Sequence, residues 1–171
     1  MSLSRDIQQK EYRSEYHKAI LNILFTHNHL VTHMGEVFKE YDITRQQYNV
    51  LRILRGQYPG HASVNLIKDR MLDKMSDTSR IVERLRLKGL ITRTDCQKDK
   101  RSVEIRITNA GLELLDRMED RVNDFEKLLS NLTVGETRDL NVLLDKLRGS
   151  DNEFREEERE AFEVLNQAEK F

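Results

Sequence analysis

The chain has 171 residues, of which 37% are apolar and 35% charged, a length and balance that suit one domain with a real core. No run of about 18 apolar residues occurs, so no membrane span is expected. The polar start MSLSRDIQQKEYRSEY does not read as a secretory signal, and the single cysteine, Cys96, cannot staple a fold; both fit a reducing cytoplasm.

The net charge of −1 hides a segregation along the chain. Residues 68–106 carry twelve bases against seven acids, a net +5, while residues 151–171 carry eight acids against three bases, a net −5. A basic segment inside a neutral chain is the electrostatic footprint of a polyanion partner. One proline, Pro59, and seven glycines leave few interruptions, which favours long helices.

Tyr16, Ile20, Ile23, His27, Leu30, Met34 and Val37 recur at three- and four-residue spacing and predict a long helix from about residue 6 to 41. Gly35 is the place where that helix is expected to bend or loosen. Thr44 and Gln47 then form a capping box, in which the threonine caps the third amide and the glutamine reaches back. The helix it opens carries Tyr48, Leu51, Ile53 and Leu54 and is stopped by Pro59-Gly60. Ser63 caps a short helix, VNLIKDRML, and Ser76 is expected to cap the next.

At about 100° per residue, that next helix gathers Thr78, Ile81, Val82 and Leu85 on one face. Ser76, Ser79, Arg80, Glu83 and Arg84 fall on the other, with Asp77 at the flank. Gly89 suits a left-handed stop, after which Leu90 can pack on Leu85. Leu90 to Thr94 then reads as a strand, and Val103, Ile105 and Ile107 alternate with polar residues as its partner. The loop between them, DCQKDKR, is longer and more charged than a tight hairpin needs, which points to function. Thr108 caps a further long helix to about Leu132, and a second capping box, Thr133 with Glu136, opens one that ends near Gly149. An acidic amphipathic helix is expected beyond it.

Helix, glycine stop and basic hairpin in that order form the working end of a winged helix-turn-helix DNA reader. Arg80 can donate two hydrogen bonds to guanine O6 and N7. Ser76 and the free amides of the first turn suit a phosphate. Asp77 could accept from cytosine N4 or simply cap. Arg101 suits a narrow minor groove, with Asp99 orienting it. Arg84, Arg86 and Lys88 are either phosphate contacts or plain surface charge. His29 and His33 stand one helical turn apart but have no local third ligand, so no metal and no cofactor are expected. Cys96 lies among bases that favour a thiolate, although an incidental exposed cysteine is the simpler reading. No nucleophile motif or glycine-rich phosphate loop marks an enzyme.

The segments DITRQQYNVLRIL, TSRIVERLRLKGLITR and DKRSVEIRITNAG resemble the second helix, the recognition helix with its stop, and the wing of the MarR (multiple antibiotic resistance regulator) family of bacterial transcription factors. The likeness runs over about residues 16 to 148. It implies a fold that is mainly α with a small β-hairpin wing: a winged lobe over 42–111, a helical dimerisation region from 1–41 and 112–150, and the acidic tail 151–171 outside the pattern. It further implies a homodimer on a pseudo-palindromic operator in double-stranded DNA, a repressor released by a small-molecule effector. By position, Ser76, Asp77, Ser79, Arg80 and Arg84 become recognition residues, and Asp99 and Arg101 wing residues. Ser63, Lys98 and Lys100 complete the expected DNA-contacting set. An effector pocket is expected around His27, Val31 and Tyr48.

Overall fold

The computed structural model describes residues 2–95 and 103–149. The expectations for Cys96, Lys98, Asp99, Lys100, Arg101 and the tail 151–171 lie outside the described residues. The chain divides into two compact units, Met1–Phe125 and Glu126–Phe171.

In the first unit a short α1 (Leu3–Asp6) precedes the long α2 (Glu15–Glu40). The single helix expected from residue 6 is therefore broken. Ser14 sits in extended backbone and accepts from the His17 amide, which starts α2 afresh. α2 then runs through Gly35 without interruption. The capping box opens α3 (Arg45–Arg55): Gln47 N donates to Thr44 Oγ1 at 3.2 Å, and Thr44 N donates to Gln47 Oε1 at 3.0 Å. α3 closes at Gly56, three residues before Pro59. Ser63 caps α4 (Val64–Arg70), as its spacing predicts.

α5 (Thr78–Leu87) ends in a full Schellman motif. Gly89 stands at φ +71°, its amide donates to Arg86 O at 2.9 Å, and the Leu90 amide donates to Leu85 O at 3.1 Å. The chain leaves that turn as β1 (Ile91–Asp95), paired antiparallel with β2 (Val103–Ile107) so that Ile91 faces Ile107. Ala62 adds a one-residue rung, exchanging two 2.9 Å backbone hydrogen bonds with Ile105. α6 (Asn109–Asn123) follows at once, and its Gly111 has no room for a side chain. A Cβ there would meet the Leu90 carbonyl and lie 2.7 Å from Ile107 Cγ1. This close approach seats α6 on the root of the hairpin. The helix expected to continue to Leu132 instead tightens to a 3₁₀ helix over Asp124–Leu129.

α3 is the hub, touching α2, α4, α5, α6 and β2. Its Val50, Leu51 and Leu54 meet Phe38, Ile67, Val82, Leu85, Ile105, Leu115 and Met118 in one buried cluster. Each such side chain contributes about 1.5–3 kcal/mol on burial. Polar ties fasten α6 at the margin: Arg121 pairs with Glu40 at 3.0 Å, and the Tyr41 hydroxyl donates to Arg117 O at 3.2 Å.

The second unit holds α7 (Val134–Leu147), opened by the predicted capping box of Thr133 and Glu136. Apolar side chains are exposed on one helix of each unit. Tyr16, Ile20, Ile23 and Leu24 are exposed along α2, and Val142, Leu143 and Leu147 are exposed along α7. No helix among the described residues is long and apolar enough to cross a membrane.

Candidate nucleic-acid interface

α5 has one face locked and one face open. Thr78, Val82 and Leu85 are buried and Ile81 is half-buried, while Ser79, Arg80 and Arg84 are exposed. The start of the helix corrects the expectation for Ser76. The N-cap is Asp77, whose Oδ1 accepts from the Arg80 amide at 3.0 Å. Ser76 Oγ points the other way and donates to Asp73 Oδ2 at 2.8 Å. Asp77 takes one free amide, as a serine cap would, but adds a negative charge beside the others, so the first turn is a poorer phosphate seat than a serine cap would make it.

Asp73 organises the approach to α5. Besides Ser76 it takes the Met75 amide at 3.1 Å, and Asn49 Oδ1 accepts from the Leu72 amide at 2.9 Å, tying the same turn to α3. These bonds, that from Ser76 first and that from the Met75 amide second, hold the Asp73 carboxyl below the ordinary aspartate range. A lowered carboxyl stabilises the turn wherever it is ionised, above its unfolded value, and that contribution goes as pH falls through the lowered one. Carbon-detected NMR is expected to show Asp73 titrating below unperturbed aspartates. An ordinary value would mean that the bonds do not persist in solution.

Arg80 and Arg84 line a cleft of about 350 Å³ with Thr44, Gln46, Asp73, Ser76 and Asp77. Neither guanidinium has a side-chain partner among the described residues. The neighbouring bases differ. Arg86 is held by a two-pronged pair with Glu83, at 2.7 and 3.0 Å, which lowers the Glu83 carboxyl and raises the Arg86 guanidinium. Lys88 reaches Asp42, with Nζ 2.8 Å from Oδ2 and a further bond to the Asp42 carbonyl. Of the three bases flagged at the end of this helix, Arg84 is the one left open. Ser63 lies away from this cleft, with its hydroxyl capping α4 through the Leu66 amide at 3.1 Å.

The hairpin root has its own bracket. Arg106 donates to Pro59 O at 3.2 Å, to Glu104 Oε2 at 3.0 Å and lies 3.2 Å from His61 Nδ1, binding β2 to the turn before α4. Together with the Ala62 rung it fixes where the wing leaves the body of the first unit.

His27, Val31 and Tyr48 do not come together in a pocket. His27 is exposed on α2 and Val31 half-buried. Tyr48 packs on Phe38 at 5.0 Å between ring centres, and its hydroxyl accepts from Arg52 at 3.2 Å. A cavity of about 740 Å³ lies elsewhere, between the end of α2, the start of α3 and the flank of α5. Phe38, Ile43 and Leu87 give it apolar surface, and Lys39, Arg45, Arg84 and Lys88 line it as cations, the last of them paired with Asp42 on the same wall. Lys39 and Arg45 carried no periodic or motif signal. Asp73 did: an aspartate three residues before a serine is a turn-forming pair. The His29 and His33 rings lie with centres 4.3 Å apart and planes tilted by 52°, and no group of three or more metal-binding side chains occurs among the described residues.

A model of the MarR family matches residues 41–102. The HTH-type transcriptional regulator PapX of Escherichia coli is 32% identical over 114 residues, 66% of this chain and 70% of PapX. The HTH-type transcriptional repressor IacR of Pseudomonas putida is 28% identical over 120 residues, 70% of this chain and 71% of IacR. The crystal structure of a MarR transcription factor from Planctomyces limnophilus superposes with a TM-score of 0.62 at 31% identity, covering 79% of this chain and 98% of that one. The matched proteins are named as regulators of transcription. The chain belongs to the MarR family of DNA-binding transcriptional regulators.

Proposed function

We propose that the protein is a homodimeric repressor that reads a pseudo-palindromic operator with α5 and leaves it when a small molecule binds. The observation that carries the DNA-reading part is the pair Arg80 and Arg84, exposed and without a side-chain partner among the described residues, on a helix whose opposite face is fixed in the core. Arg80 reads guanine, and Arg84 takes a phosphate. Ser79 approaches the base edges beside them. Asp77 caps the helix and holds Arg80 in line, Ser76 stiffens the turn through Asp73, and Ser63 orients α4 against the backbone. Lys98, Asp99, Lys100 and Arg101 carry the wing contacts in this reading.

The dimer is supported by the uncovered stripes of α2 and α7, since contiguous exposed apolar surface of that kind marks an interface. A two-fold protein calls for a two-fold site. Repression is supported by kinship with IacR, whose name states that role. Release is supported by the cation-rimmed cavity, because Arg84 lines both it and the DNA-facing cleft. An amphipathic anion engaging Arg84 there withdraws a phosphate contact.

Selection of bound duplexes from a random pool tests the whole, since it yields half-site and spacing together. On the selected duplex, affinity is expected to fall about a thousandfold between 50 and 200 mM salt if six or more phosphates are neutralised. A flat salt response, or no enriched sequence, would overturn DNA reading. An enriched site without internal symmetry would overturn the dimer.

A further inference from the structure

The turn between α4 and α5 displays the two most exposed large apolar side chains of the first unit, Leu72 at 83% and Met75 at 95% exposure. They do not sit on slack chain. The Leu72 amide is anchored to Asn49 and the Met75 amide to Asp73, while Ser76 closes the turn on the same carboxylate. The turn's one cation, Lys74, is directed back onto the Asp69 carbonyl. A rigid turn therefore presents apolar side chains and withholds positive charge, directly before the helix that carries Arg80.

This combination selects among occupants. Phosphate is disfavoured, because the turn offers it thioether, methyl groups and the Asp73 carboxylate. A second copy of the chain is disfavoured too, since two side chains fall far short of the roughly 800 Å² per partner that a stable interface buries. What remains, for a turn that leads directly into α5, is the apolar feature of the major groove, the thymine C5 methyl. In helix-turn-helix readers it is the N-terminal end of the recognition helix that meets the base edges, and Met75 stands two residues ahead of its cap.

We infer that Met75, with Leu72 on the same turn, is a specificity-determining contact that reads a thymine methyl at one position of each half-site. The inference rests on the proposal that α5 enters the major groove. Met75 has the unbranched, polarizable side chain suited to seat a methyl without a preformed pocket.

The test compares duplexes selected from a random pool by the wild-type protein, by Met75→Ala and by Leu72→Ala. Both positions are exposed, so the variants are expected to fold as the wild type does, which unfolding curves check. The wild type is expected to enrich thymine at one half-site position, and Met75→Ala to lose that preference while keeping the others. Replacing that thymine by deoxyuridine removes only the methyl group, and is expected to cost the wild type about fourfold in affinity per half-site, the weight of one buried methyl. The same replacement is expected to leave Met75→Ala unchanged. Deoxyuridine acting equally on both proteins, or Met75→Ala weakening every duplex alike, would overturn the inference while leaving DNA reading intact. Failure to enrich any duplex would overturn the proposed function and this inference with it.

Discussion

Replacing Arg80 by alanine is expected to reduce affinity for the selected operator by about thirtyfold or more while leaving affinity for a scrambled duplex nearly unchanged. The estimate follows from about 1–3 kcal/mol for one arginine forked onto guanine, counted once in each half-site of a two-fold complex. Position supports the role: Asp77 holds the Arg80 amide, which fixes the backbone, and the guanidinium has no acid partner among the described residues. Nothing in the core is lost with this side chain, so the unfolding midpoint is expected to move little, as for other surface positions. Arg80→Lys separates charge from shape. A lysine keeps the point charge without the planar fork, so scrambled-duplex affinity should persist and discrimination should stay low. Arg84→Ala is expected to weaken both duplexes alike, as a phosphate contact does. If Arg80→Ala also weakens both alike, Arg80 is a phosphate contact and base reading lies elsewhere.

The parts of the fold that are readable from sequence are those whose bonds are local. Thr44 with Gln47, Thr133 with Glu136, and Gly89 with Leu90 each satisfy backbone groups within a few residues, and each forms as its spacing predicts. The cap of α5 has two adjacent good candidates in the sequence, and the structure uses Asp77 where Ser76 is expected. Ser76 and Asp77 can both cap, and the choice was settled by Asp73, which captures the Ser76 hydroxyl and leaves the position to Asp77.

Periodicity misled for a different reason. Met118, Val122, Phe125 and Leu129 keep the three- and four-residue spacing of an α-helix face across the boundary, so the tightening at Asp124 leaves no trace in the apolar pattern. The first helix was overextended because residues 7–14 are polar enough to hide a break, and Ser14 restarts the helix there. Ties across distant segments were out of reach altogether. Asn49 with Leu72 spans 23 residues, Lys88 with Asp42 spans 46, and Arg106 with Pro59 spans 47. No local propensity encodes such pairs, and they are the ones that place the recognition turn and the wing. The resemblance to known regulators supplied the order of elements, but neither the cation-rimmed cavity nor the apolar turn.

Leu85→Ala is expected to be the most damaging single change on the recognition helix, although Leu85 never faces the reading side. Its side chain is fully buried, at 0% exposure, in the cluster that joins α2 through α6. Truncation there costs about 2–5 kcal/mol in transfer and cavity terms, against a total of about 5–15 kcal/mol for a typical domain. The unfolding midpoint is expected to fall by about 8–20 °C for a unit of this size. The Schellman bond from the Leu90 amide to the Leu85 carbonyl survives, because the backbone is unchanged. Its apolar partner, the Leu85 side chain, does not. Below the lowered midpoint, affinity is expected to drop while base preference and salt slope stay as in the wild type, since Arg80 and Arg84 are untouched. Leu85→Met, which keeps the volume, is expected to recover most of the loss. A changed base preference in Leu85→Ala at a temperature where it is fully folded would show that the core face and the reading face of α5 are not independent. The assignment of Arg80 as the reader would then have to be remade on a helix free to rotate.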